Sequence, residues 1–271
     1  MGIFSFLSGG DTVYFPGCTN YFKYRENYTL YKRIFDSLGI NFKELDVKLC
    51  CGVNALEAGY ENEARKLARR NVDLFNEKGI KKIITTSPSA FKMFSLDYPK
   101  LIPDWNIKVE NIWKLILDKI KDKNLIKVDE IVSYHDSCYL GRYLGIYDEP
   151  RMILMELGYK IREFPNSREN SICCGSCGGL PRVNIELANS IAKDRILEAK
   201  RIGVKKIIVI GFENYSLLKK NSEGLDMEIV EFSNVLAKAL DIIIESEDIE
   251  VKSEELKEDL KESKELEIEN G

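Results

Sequence analysis

Cys173, Cys174 and Cys177 fall within five residues of the glycine-rich stretch SICCGSCGGL, and four more cysteines stand at 18, 50, 51 and 138. Adjacent thiols bridge to each other only with strain, so a vicinal pair more naturally turns both sulfurs toward a metal. A glycine after each pair, Gly52 and Gly175, lets the backbone fold tightly around such a centre. Cys174 and Cys177 also form C-x-x-C, a spacing used for zinc and for iron-sulfur clusters. One buried Cys-Cys pair could be inert filler; two at equivalent places argue for ligands. The odd count of seven fits metal ligands or redox centres in a cytoplasmic protein better than a disulfide framework.

The places are equivalent because the chain is written twice. VYFPGC, then CCG, then KKIITT in one segment matches VSYHDSC, CCG and KKIIVI in another. Cys18 maps to Cys138 at an offset of 120, Cys50-Cys51 to Cys173-Cys174 at 123, and Lys81-Lys82 to Lys205-Lys206 at 124. Val109-Glu110 and Leu115 are paired with Val230-Glu231 and Leu236 at 121. Each copy alternates strands and helices. In the first, a strand at 12–15, a helix ending at Leu38-Gly39, a strand near 42–45, a helix over 61–77 and a strand at 81–86 are expected. In the second, strands at 131–134, 160–164, 205–210 and 227–231 are expected, with a helix to Leu157-Gly158, one helix over 181–200 and another from Ser233. The alternation predicts an α/β fold of two pseudo-symmetric halves from an internal duplication, each a small parallel sheet flanked by helices. Cys18 and Cys138 follow the first strand of their copies, where such folds gather ligands. The expected units are residues 12–122 and 128–244, followed by an acidic, disordered or partly helical tail over 245–271.

That tail holds 12 acidic and 4 basic residues, whereas the rest of the chain carries 36 basic against 32 acidic. The near-neutral body lacks the basic, aromatic-studded groove of a nucleic-acid binder. No apolar run approaches the roughly 20 residues of a membrane span, and the first ten residues lack a signal-peptide pattern, so a cytoplasmic location is expected. Glutamine is absent and charged residues reach 31%, a composition like that of thermophile proteins.

C-x31-C-C-G in the first copy and C-x34-C-C-G in the second resemble the CCG, or cysteine-rich, domain family. It includes the B and D subunits of heterodisulfide reductase and iron-sulfur subunits of glycolate oxidase, lactate utilisation and glycerol-3-phosphate dehydrogenase systems. YHDSCYLGRYLGIYDEPR and FPNSRENSICCGSCGGLPR look like the D-subunit branch, and the likeness runs from about Val13 to Leu240. The resemblance implies two Rossmann-like halves and iron-sulfur clusters held by thiolates at the CCG turns, which in heterodisulfide reductase are non-cubane 4Fe-4S clusters. It also implies a C-P-x-C-like pair after each third strand. Here those positions read Ser87-Pro88-Ser89-Ala90 and Gly211-Phe212-Glu213-Asn214.

Cys138, Cys173, Cys174 and Cys177 therefore form a candidate four-thiolate set for one 4Fe-4S cluster, with Cys177 standing in for the lost pair. Cys18, Cys50 and Cys51 leave the first copy three thiols: enough for a second cluster with an open iron, for zinc with a water, or for a scaffold without metal. Ser87 is a candidate oxygen ligand. His135, the sole histidine, is the candidate catalytic residue: it could give a proton, tune a cluster sulfur, or brace the turn. Arg142, Arg151 and Arg182 could anchor an anion or pair at the surface, and Tyr14, Tyr21 and Tyr24 read as packing. The resemblance implies an oxidoreductase or electron-transfer subunit acting on a thiol or disulfide. A flavin- or ferredoxin-type subunit would deliver electrons, since the chain has neither a G-x-G-x-x-G fingerprint nor a ferredoxin cysteine run. The competing reading is a non-catalytic assembly or sensor subunit holding one cluster or zinc.

Overall fold

The computed structural model describes residues 10–45 and 49–242, so the acidic tail lies outside the described residues. The first repeat runs β1 (Thr12–Tyr14), α1 (Cys18–Phe22), α2 (Arg25–Leu38), α3 (Val53–Glu57), α4 (Glu61–Glu77) and β2 (Lys82–Ile84). It continues with α5 (Pro88–Lys92), a π-helical turn (Met93–Asp97), α6 (Tyr98–Leu101), β3 (Lys108–Glu110) and α7 (Ile112–Ile120). The second runs β4 (Glu130–His135), a π-helical turn (Tyr139–Tyr143), α8 (Asp148–Glu156), β5 (Tyr159–Ile161) and a 3-10 turn (Arg168–Asn170). It ends with α9 (Leu180–Val183), α10 (Ile185–Arg201), β6 (Lys206–Val209), α11 (Phe212–Asn221), β7 (Glu228–Glu231) and α12 (Phe232–Ala239).

All strand pairs are parallel, in the orders β1-β2-β3 and β5-β4-β6-β7. The expected strand at 42–45 is reduced to one parallel bridge, Val13 to Lys43, on the free edge of β1. That bridge occupies the place of β5, so the two sheets share one strand order. Tyr14 faces Ile84 as Tyr134 faces Ile208, matching the repeat offsets at both strands. The third strand differs by one residue from the sequence correspondence. Val109 pairs with Ile83, and Ile229, not Val230, pairs with the equivalent Ile207. The offset there is 120, which also aligns the helix caps Asn111 and Glu231.

Helix faces follow from the apolar spacing. In α4, Ala64, Ala68, Val72 and Phe75 are buried, and Gly79 follows at a φ of 67° that suits glycine. The helix expected over 181–200 is instead two. Asn184 leaves helical geometry between them, and its side chain accepts from the Leu187 N–H at 3.0 Å to cap α10.

The largest cluster of buried apolar side chains belongs to both repeats, with Tyr31, Ile34 and Trp113 packed among Tyr134, Leu154, Phe232 and Leu236. Trp113 meets Phe232 edge-on at 5.4 Å, and Phe232 meets Tyr134 at 6.4 Å. Smaller cores cover the outer face of each sheet. The two sheets thus clamp one shared core of helices, and the loops beyond their strands are held face to face.

Candidate metal centre

In each repeat the first cysteine sits just beyond the first strand and the vicinal pair lies in the loop before α3 or α9. Gly52 N–H donates to Cys50 Sγ at 3.4 Å, and Gly175 N–H donates to Cys173 Sγ at 3.3 Å. The same backbone donor thus serves the first sulfur of each pair. Gly175 takes a φ of 89°, and a Cβ there would lie 2.7 Å from the Ala188 carbonyl oxygen. Cys51 and Cys174 point inward and are buried, while the other five thiols are partly exposed.

In the second repeat the thiols of Cys138, Cys174 and Cys177 gather within hydrogen-bonding reach of Cys173. With the Gly175 N–H they hold its thiol far below the ordinary range, against the opposing effect of burial. The counterpart thiols move the other way. Cys138 is pushed up to about 11, first by its bond to Cys173, and Cys174 and Cys177 rise well above the usual value. The first repeat is a weaker version: the Cys18 thiol holds Cys50 down to about 6, and burial pushes Cys51 up to about 12. Each repeat thus contains one sulfur made to be a thiolate, with softer donors gathered on it.

Among the described residues no three His, Cys, Asp or Glu groups are spread around a common point as ligands of a single ion. The four second-repeat sulfurs instead lie grouped around Cys173. Loss of their protons leaves four soft donors on a glycine-rich loop, a donor set suited to a thiolate-bound cluster. The chemistry of the residues therefore fits the group that the resemblance implies.

Residue type and spacing do not single out Asn214. It occupies the last position of the expected C-P-x-C pair. Its Oδ1 accepts from Ser176 Oγ at 2.6 Å, Cys174 Sγ at 3.4 Å and Cys177 Sγ at 3.8 Å, while Nδ2 donates to the Ile210 carbonyl at 2.9 Å. The lost thiol's place is thus filled by an amide that orients two remaining ones. In the first repeat Ser87 Oγ is engaged at the start of α5, accepting from Ala90 N–H at 3.4 Å and lying 3.2 Å from Ser89 Oγ. Ala90, the counterpart of Asn214, offers no polar atom.

His135 ends β4 and is fully buried. Burial, then the charge of Arg195, drives its pKa down to about 3, so the ring is neutral. Asp136, beside it, is tied to Arg151 at 2.7 and 2.9 Å. Arg151 is buried and also grips Glu163 at 2.6 and 2.9 Å, so it braces the HDSC turn and neither faces a ligand nor pairs at the surface. Arg142 donates to the Ser171 carbonyl at 2.9 Å. Tyr14 is core, in ring contact with Phe35 at 5.0 Å, and Tyr21 packs on Tyr28. Tyr24 does more than pack: it stacks on Phe212 of the other repeat and donates to Ser216 Oγ at 3.0 Å.

Those last contacts close one side of a cleft of about 370 Å³ between the repeats. Thr19, Asn54 and Glu57 line it from the first repeat, and Tyr139, Cys177 and Arg182 from the second. Tyr139, the residue after Cys138, donates its hydroxyl across the cleft to Glu57 at 2.8 and 2.9 Å. Both thiol loops therefore border one space.

The chain belongs to the cysteine-rich CCG domain family, whose model matches residues 12–95 and again 132–211. Its relatives include the protein named as the D subunit of dihydromethanophenazine:CoB–CoM heterodisulfide reductase from Methanosarcina mazei, 31% identical over 198 residues. That match covers 70% of this chain and 48% of the relative. The Methanosarcina acetivorans protein of the same name is 30% identical over 87% of this chain and 60% of its own length. FadF of Bacillus subtilis, named a probable iron-sulfur-binding oxidoreductase, is 32% identical over 62% of this chain and 24% of its own. The chain spans about half the length of the heterodisulfide reductase relatives it matches. Among the described residues no helix is long and apolar enough to cross a membrane.

Proposed function

We propose that this chain is an iron-sulfur subunit that passes electrons to or from a thiol or disulfide held in the cleft between its repeats. The gathering of Cys138, Cys174 and Cys177 around Cys173, with Cys177 lining that cleft, carries the reading. Cys138, Cys173, Cys174 and Cys177 hold a 4Fe-4S cluster; Cys18, Cys50 and Cys51 form the second, less complete site. A bound cluster supplies one-electron chemistry. Reducing a disulfide takes two electrons and two protons and breaks one S–S bond into two thiols. The residues of this chain bind and orient that substrate. Arg182 reaches the cleft with no ion pair among the described residues and suits an anionic group on the substrate. Tyr139 and Glu57 place a hydroxyl and a carboxylate where a sulfur would collect a proton. Electrons arrive from a flavin- or ferredoxin-type partner subunit, a reading supported by relatives that are named as subunits.

The test is anaerobic reconstitution with iron and sulfide, followed by metal counting and EPR with and without thiols. Four irons bound per chain, and an EPR signal that thiols perturb, are expected. Zinc as the bound metal, with no EPR-active species, would sink the redox reading. It would favour instead a non-catalytic assembly or sensor subunit, for which the absence of all four strand-end thiols is the supporting observation.

A further inference from the structure

Asn214 stands among the proposed ligands without being counted as one. It is 4% exposed and lies in the first turn of α11. The start of that helix is braced from the other repeat, where Tyr24 stacks on Phe212 and donates to Ser216 Oγ at 3.0 Å. The amide itself is locked. Nδ2 donates to the Ile210 carbonyl at 2.9 Å, and turning the group over would set Oδ1 against that carbonyl, acceptor against acceptor.

In this fixed orientation Oδ1 faces the thiol loop, 2.6 Å from Ser176 Oγ, 3.4 Å from Cys174 Sγ and 3.8 Å from Cys177 Sγ. In the metal-free protein the two thiols and the Ser176 hydroxyl donate to it. A metal binds both sulfurs as thiolates, so the thiol protons leave. One proton, that of Ser176, then remains among two thiolates and a carbonyl oxygen, all of them acceptors. A cation among them removes the repulsion, and the distances fit one. A sulfur at about 2.3 Å and an oxygen at about 2.1 Å on a tetrahedral metal lie about 3.6 Å apart. The two sulfur-to-oxygen separations, 3.4 and 3.8 Å, bracket that value, so either sulfur can share a metal with Oδ1.

We propose that Asn214 is a ligand of the second-repeat centre, giving one iron an amide oxygen beside its thiolate. The inference rests on the reading of the second repeat as a thiolate-bound iron-sulfur site. It places the oxygen-bound iron toward the cleft, which Ser176 and Cys177 line. Ala90, at the equivalent position, gives the first repeat no such donor.

The test labels the side-chain carbonyl carbon of every asparagine in the full chain with the magnetic carbon isotope. In reconstituted, reduced protein, electron–nuclear double resonance is expected to show a through-bond coupling to that carbon, lost in Asn214→Ala. A residue that only orients Cys174 and Cys177 puts no electron spin on its carbonyl. Asn214→Asp, which keeps an oxygen in place but takes no label, makes the same comparison should the Ala variant load no iron. Wild-type protein without a through-bond coupling overturns the proposal, and so does a coupling that persists in the variant. Should wild type load no iron, the electron-transfer function fails, and NMR of metal-free protein titrated with a magnetic cadmium isotope then decides the role of Asn214. Its carbonyl carbon, identified by its absence in Asn214→Ala, is expected to shift and to split by coupling to cadmium. An unmoved, unsplit resonance overturns the proposal.

Discussion

At the scale of single residues, the two sites differ in how many thiols lean on the sulfur that becomes a thiolate. Cys173 receives three and Cys50 receives one. The extra support comes partly from Cys177, the residue that stands in for the lost strand-end pair. Cys177→Ala is therefore expected to abolish most iron uptake by the second repeat, read as iron per chain and visible absorption after reconstitution. An unchanged iron count would remove Cys177 from the ligand set. Neutral His135 makes a second prediction. Its folded pKa, about 3, lies below the ordinary 6.5. Below pH 6.5 the unfolded chain binds a proton that the folded chain refuses, so stability falls as pH drops toward 3. The limiting slope is about 1.4 kcal/mol per pH unit. Denaturant melts of metal-free His135→Gln between pH 7 and 4 should lack that part of the slope; a slope equal to wild type would refute it. The cysteines and His135 were legible from type and spacing. Asn214, Tyr139 and Arg195 were not, because amides, tyrosines and arginines carry no spacing rule that separates a site from a surface. Asn214 alone left a trace, as the residue standing where a thiol was expected.

At the scale of elements, periodicity and glycine placement marked helices and strands well where the segment was long. Glu61–Glu77 was read to the residue because four apolar positions on one face and a following Gly79 leave little choice. Short strands came out shorter than their apolar runs, since ladder pairing ends before burial does: Lys82–Ile84 within 81–86, and Tyr159–Ile161 against an expected 160–164. The break at Asn184 was hidden because an asparagine inside a helical pattern looks like a tolerated polar residue. As a cap it frees α9 to turn with the CCG loop while α10 packs on the sheet. Asn184→Ala should lower stability by about 1 kcal/mol, the usual effect of losing such a cap, measured by urea unfolding. Gly175→Ala should do more local damage. Its φ of 89° and the 2.7 Å approach to Ala188 O force the loop to move, so iron uptake should fall in a variant that keeps the wild-type circular dichroism spectrum. Full iron loading in that variant would mean that the tight turn is dispensable.

At the scale of the molecule, the duplication suggested two units, and the structure joins them through a core to which both contribute. The joint is also polar. Glu231, the cap of α12, accepts from Tyr31 of the first repeat at 3.3 Å and from Ser233 N–H at 2.6 Å. The Ser233 hydroxyl, with one proton, stands 2.5 Å from both Glu231 Oε2 and Asn27 Oδ1. As the Asn27 amide is placed, the three oxygens are satisfied when Glu231 is protonated and donates to Ser233, which donates to Asn27. Burial raises the Glu231 pKa and supports that state, against hydrogen bonds that lower it. The sign follows from linkage. Below the ordinary value of about 4.5 both folded and unfolded chains are protonated, and the contribution to stability is complete. As pH rises past that value the unfolded chain loses its proton first, and stability falls by up to about 1.4 kcal/mol per pH unit until the folded carboxyl ionises. Glu231→Gln supplies the same donor without a proton to lose. It should match wild type near pH 4 and become increasingly more stable than wild type toward pH 7, with both repeats still unfolding in one transition. A variant less stable than wild type at pH 7 would show that the joint between the repeats is held by a carboxylate and not by an acid.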